Sequence, residues 1–135
     1  MAERKKILLI DDEKDFCFFI KKNLEDSGGF DVVYTTDPMR GIKIAQQESP
    51  NLILLDIMMP GKDGFAVLEA LKNDPRTISI PVVMLTAVED DSARVRACRL
   101  SDEDYINKPV SYVLLKKKIN EVLNRYGALK RAGNA

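Results

Sequence analysis

A chain of 135 residues suits one domain, and 45% hydrophobic with 31% charged residues gives enough apolar mass for a core under a solvated surface. Lys plus Arg total 21 and Asp plus Glu total 21, a balance that argues against direct nucleic-acid binding and gives no support for binding an anionic membrane. Histidine is absent, which excludes a Ser-His-Asp or Cys-His site, His-ligated zinc and a phosphohistidine on this chain, leaving chemistry to carboxylates, hydroxyls and lysines.

The first predicted element is the strand Ile7–Ile10, which stops at two aspartates. It is too short for a signal peptide, and no stretch approaches the roughly 20 apolar residues of a membrane span, so the chain reads as cytoplasmic. Phe16, Phe19, Ile20 and Leu24 then fall at helical spacing, with Phe16, Phe18 and Phe19 expected mostly in the core and Gly28-Gly29 as the stop. Val32–Tyr34 is a short strand. Asp37-Pro38 starts a helix, Asp as the cap and Pro at the first position, which carries Ile42 and Ala45 and ends at Ser49-Pro50.

Leu52–Leu55 is a buried strand that ends on Asp56. After the PGKDG turn, Phe65, Leu68 and Leu71 mark a helix that Asn73-Asp74-Pro75 terminates. Val82–Leu85 is a strand, a weaker helix is anchored by Val95 and Cys98, and Tyr105-Ile106 is a short strand. Ser111 caps a last helix with Leu115, Ile119, Val122 and Tyr126, for which Gly127 is the expected stop. Residues 1–127 thus read as one domain and 128–135 as a frayed tail or the start of a linker. Cys17 and Cys98 have no metal-ligand spacing and read as buried free thiols.

Strand and helix alternating about five times predict an α/β domain, a parallel sheet with helices on both faces. The uniformly apolar strands fit a sheet covered on both sides. Ligands of such sheets bind beyond the carboxyl ends of the strands. Asp11 and Asp12 follow the first strand, Asp56 the third, Thr86 and Ala87 the fourth, and Lys108 the fifth. Packed carboxylates repel unless a cation intervenes, and Mg²⁺ is a hard ion that wants oxygen ligands. Asp11, Asp12 and Asp56 look like a site of that kind, with Lys108 adding fixed positive charge for a phosphoryl group. Asp56 is the candidate nucleophile, since a carboxylate can form an aspartyl phosphate.

ILLIDDE, LLDIMMPGKDGF, VVMLTA and DYINKP, in this order and spacing, resemble the response-regulator receiver domain of two-component and phosphorelay signalling. The resemblance implies a flavodoxin-like doubly wound five-stranded parallel sheet, (βα)5, in strand order 2-1-3-4-5. It implies that Asp56 accepts a phosphoryl group from a sensor histidine kinase or histidine phosphotransfer protein. Asp12, Asp56 and the backbone carbonyl of Met58 would hold Mg²⁺, Asp11 acting mainly through a water, while Thr86 and Lys108 would contact the phosphoryl oxygens. The Lys108–Pro109 bond would be cis.

Thr86 and Tyr105 would form the switch, reshaping the surface of the fourth helix, fifth strand and fifth helix that a downstream output domain or protein reads. A phosphorylation-dependent homodimer could use the same face. In that strand order the first and fourth helices lie on opposite faces, so Cys17 and Cys98 should not pair. The sequence departs from the family at Leu100-Ser101-Asp102-Glu103, where members commonly carry Gly-Ala. Met58 and Val88, both apolar, stand at positions that tune phosphoryl hydrolysis, and the expectation is a long-lived phosphorylated form. Such a domain catalyses only its own phosphorylation and dephosphorylation. Two rival readings are an aspartate-nucleophile phosphatase, which wants a second acidic residue where Met58 stands, and a constitutive receiver-like interaction scaffold.

Overall fold

The computed structural model describes residues 4–27, 29–61, 63–87 and 104–133. Its strands are β1 (Lys5–Ile10), β2 (Phe30–Thr35), β3 (Leu52–Asp56), β4 (Val82–Ala87) and β5 (Asp104–Lys108). Its helices are α1 (Lys14–Ser27), α2 (Pro38–Glu48), α3 (Gly64–Lys72) and a long C-terminal helix, Tyr112–Gly133. The strands pair in parallel in the order β2-β1-β3-β4-β5, the flavodoxin-like arrangement expected. The predicted helix around Val95 and Cys98, the loop Leu100-Ser101-Asp102-Glu103 and Val88 lie outside the described residues.

The apolar runs without alternation are explained by two cores. Successive side chains of a strand point to opposite faces, so each central strand feeds both. Ile7, Leu9, Leu52, Leu54, Val83 and Leu85 meet Cys17, Ile20 and Leu24 of α1 and Leu115, Ile119 and Val122 of the C-terminal helix. Leu8, Ile10, Ile53, Leu55, Val82 and Met84 meet Ala45 of α2 with Val67 and Leu71 of α3. Local chemistry sets the helix ends. The Asp37 carboxylate accepts from Met39 N at 3.0 Å with Pro38 at the first position of α2, and Ser49 closes that helix with φ +47°.

Two expectations are corrected. Phe18 and Phe19 are 60% and 51% exposed, because the buried stripe of α1 is Cys17, Ile20 and Leu24, with Phe16 packed at its edge. At about 100° per residue, Phe18 and Phe19 both point well away from that stripe, whereas Phe16 lies beside it. Gly127 does not stop the last helix, which runs on to Gly133. Glycine inside a helix costs only about 1 kcal/mol, and Ala128, Leu129, Lys130 and Arg131 after it are good helix formers.

Candidate functional site

Strand parity brings the predicted groups together. Asp56 shares a face of β3 with Leu54, and Lys108 shares a face of β5 with Ile106, both on the side of the sheet that α1 covers. Asp11 comes directly after β1, its N–H donating to Thr35 O at 3.2 Å and its Oδ1 accepting from Glu13 N at 2.9 Å. Lys108 Nζ then lies 2.7 Å from Asp11 Oδ2, 3.0 Å from Glu13 Oε1 and 3.3 Å from Asp56 Oδ2. Asp11 is fully buried and Asp56 nearly so, whereas Asp12 is partly exposed and Glu13 exposed. One carboxylate oxygen from each of Asp11, Asp12, Glu13 and Asp56 lies within 4.8 Å of the other three.

The electrostatics follow from that crowding. Burial pushes the Asp11 carboxyl up to about 6, against the pull of Lys108 and the Glu13 N–H, and Asp56 pushes it further in the same direction. Burial works against the Lys108 charge, but the close ion contact with Asp11 and the charges of Asp11 and Asp56 outweigh it, so its pKa is raised. Burial, aided by Asp11, pushes the Cys17 thiol up to about 12, which makes it a core group rather than a nucleophile. Three carboxylates in ion contact with one ammonium, and Asp12 clustered with them, leave a deficit of positive charge. The Asp11 Oδ2 atom, fully buried, has an ion contact with Lys108 yet no well-aligned hydrogen-bond donor among the described residues. An all-oxygen cluster with such an atom fits a hard divalent cation.

The loop after Asp56 is built from the PGKDG segment. Met58 N donates to Asp56 Oδ1 at 2.8 Å, fixing the carboxylate against its own turn, while the Met58 side chain is 46% exposed. Gly61 takes φ +71°, and Asp63 Oδ1 caps α3 by accepting from Phe65 N and Ala66 N at 3.0 and 3.2 Å. Gly64 allows the close approach: a Cβ there would lie 2.4 Å from Ile57 Cα and 2.8 Å from the Asp56 carbonyl oxygen. Lys108–Pro109 is cis, as expected.

Thr86 and Tyr105 occupy the other face of the sheet edge. Thr86 pairs in register with Asn107 and is fully buried, its Oγ1 donating to Asn107 Oδ1 at 2.9 Å. Tyr105, on the same face of β5 as Asn107, packs half-buried against the core containing Met84. Sequence reasoning missed Glu13, Phe16 and Asn107. Glu13 directly follows Asp12, and Phe16 lies four residues beyond Asp12, so both offered a signal. Asn107 had none, because its partner is set by the β4–β5 register.

The model of the response regulator receiver domain family matches residues 7–120. The chain belongs to the response-regulator receiver family. It is 37% identical over 123 residues to the probable transcriptional regulator ycf27 of Porphyridium aerugineum, covering 91% of this chain and 50% of that protein. It is 35% identical to Protein PilH of Pseudomonas aeruginosa over 118 residues, covering 87% of this chain and 97% of PilH. Among solved structures, a Francisella response regulator receiver domain superposes with TM-score 0.75 at 28% identity, covering 90% of this chain and 98% of that one. This response-regulator receiver domain spans about half the length of the first curated relatives it matches, which are transcriptional regulators. Among the described residues, no helix is long and apolar enough to cross a membrane.

Proposed function

We propose that this receiver is a Mg²⁺-dependent phosphoacceptor in which Asp56 takes a phosphoryl group from a phosphohistidine. The observation that carries the reading is the convergence of Asp11, Asp56 and Lys108 from three strand ends, with an ammonium 3.3 Å from the acceptor carboxylate. The chain has no histidine, so the donor imidazole lies outside these residues, and the proposed donor is a sensor histidine kinase or histidine phosphotransfer protein. An Asp56 carboxylate oxygen attacks phosphorus, a P–O bond forms as the P–N bond breaks, and the imidazole keeps the electron pair. Hydrolysis reverses the gain: water attacks phosphorus, the acyl phosphate P–O bond breaks, and inorganic phosphate leaves.

Asp12, Asp56 and the Met58 carbonyl are the proposed ligands of Mg²⁺, Asp11 acting through water, and the bound ion would offset charge on the phosphoryl oxygens. Lys108 supplies the fixed positive charge on the protein side. Thr86 is proposed to leave Asn107 for a phosphoryl oxygen, with Tyr105 turning inward behind it, a two-state element biased by a local charge. A downstream output domain or protein, or a second copy of the chain, would read the altered face. Met58 and Val88, apolar at the hydrolysis-tuning positions, are proposed to lengthen the phosphorylated lifetime. Polar residues at both should shorten it, and an unchanged dephosphorylation rate would count against that. The test of the whole reading is intact mass after incubation with acetyl phosphate and Mg²⁺. One phosphoryl adduct, dependent on Mg²⁺ and lost in Asp56→Asn, supports it; no adduct on wild type overturns it, and turnover of a separate phosphate ester favours a phosphatase.

A further inference from the structure

Lys108 has partners beyond the groups that the acceptor reaction uses. Its ammonium touches Asp11 and Asp56, but also the exposed Glu13 carboxylate at 3.0 Å, and it stands over the Phe16 ring 4.4 Å from the centroid. Both extra groups come from one place, the start of α1: Glu13 immediately before its first residue and Phe16 in its first turn. Neither is among the proposed Mg²⁺ ligands.

We propose that Glu13 and Phe16 are positioning residues for Lys108, a seat onto which its ammonium settles when a divalent cation claims Asp11 and Asp56. The inference rests on the reading of this site as Mg²⁺-dependent. A largely buried ammonium must keep anionic or π-face partners, because leaving it uncompensated is costly. While Asp11 and Asp56 are free, the seat is redundant. Once a cation takes their charge, Glu13 and the Phe16 face become the lysine's main compensation. That asymmetry is what can alter cation affinity, since a contact of equal worth in both states would shift nothing. Phe is well suited to one side of this seat: a ring face attracts an ammonium without offering an oxygen that would compete for the metal. Glu13, exposed and at the end of the acidic run, can follow the ammonium outward at small cost.

The test is the Mg²⁺ dissociation constant, measured by isothermal titration calorimetry at fixed ionic strength. It is read on wild type, Phe16→Leu and Glu13→Gln, and on each change combined with Lys108→Met. Each single change is expected to weaken Mg²⁺ binding by about two- to fivefold. Both losses are expected to disappear in the Lys108→Met background, because they act through the lysine. A Phe16→Leu protein with wild-type affinity overturns the proposal. So does a Glu13→Gln loss that persists without Lys108, which would mean that Glu13 attracts the cation by its own charge. Glu13→Gln alters only an exposed group, so the comparison survives if Phe16→Leu folds poorly. A wild type with no Mg²⁺ affinity overturns the acceptor reading and the seat together; a wild type that binds while both variants match it overturns the seat alone.

Discussion

Asp11 and Thr86 are each buried polar groups held by one neighbour from β5, Lys108 and Asn107 respectively, and those two contacts tie the site to the edge strand. The Thr86–Asn107 bond makes a stability prediction. Thr86→Val and Asn107→Ala should each cost about 0.5–1.5 kcal/mol in urea unfolding, and the double variant should cost less than the sum. Full additivity would show that the bond contributes nothing. Asp74 makes a pH prediction. It accepts from Arg76 N at 2.8 Å, Arg76 Nη2 at 2.9 Å and Gln46 Nε2 at 2.9 Å, and the Arg76 bonds hold its pKa at about 2 against an ordinary 3.8. A folded pKa below the unfolded one adds stability that is present above about pH 4 and is lost as pH falls toward 2. The melting-temperature gap between wild type and Asp74→Asn should therefore be fully open at pH 6 and narrow through pH 3; a constant gap would contradict the charge account. At this scale the sequence was legible where residues sit at strand ends. Asp11, Asp56 and Lys108 could be placed from periodicity alone, whereas Asn107 opposite Thr86 required the strand register.

Helix starts are where element-scale energetics meet the site. Asp37 caps α2 and Asp63 caps α3 in the same way, but only α3 begins against the backbone of the proposed acceptor. Asp37→Ala should cost about 1 kcal/mol and leave phosphoryl uptake unchanged. Gly64→Ala should cost about 1–3 kcal/mol, since its Cβ meets Ile57 and the Asp56 carbonyl rather than a flexible side chain, and should also slow uptake from acetyl phosphate. Equal uptake rates in the two variants would separate the α3 start from the chemistry. Element existence was legible throughout the described residues because apolar runs and caps agree. The misreadings arose where composition misled: three Phe residues on α1 look like core although only one stripe can face inward, and Gly127 looks like a stop although good helix formers follow it.

For the whole molecule, the parallel sheet with a core on each side explains why a strand such as LILLD can end in charge. Leu52 and Leu54 face the α1 side and Ile53 and Leu55 the α2–α3 side, so the strand is fixed from both faces and its carboxyl end is presented at the crowded edge. Leu54→Ala, at a fully buried position in the middle strand, should cost about 2–5 kcal/mol in urea unfolding; a cost under 1 kcal/mol would contradict the packing described. The central claim is that, of four clustered carboxylates, Asp56 is the acceptor. Peptide-level mass spectrometry of the chain treated with acetyl phosphate and Mg²⁺ tests it most directly. The account predicts the phosphoryl group on Asp56 and none on Asp11, Asp12 or Glu13; a phosphoryl group on any of those three, with Asp56 unmodified, would contradict it.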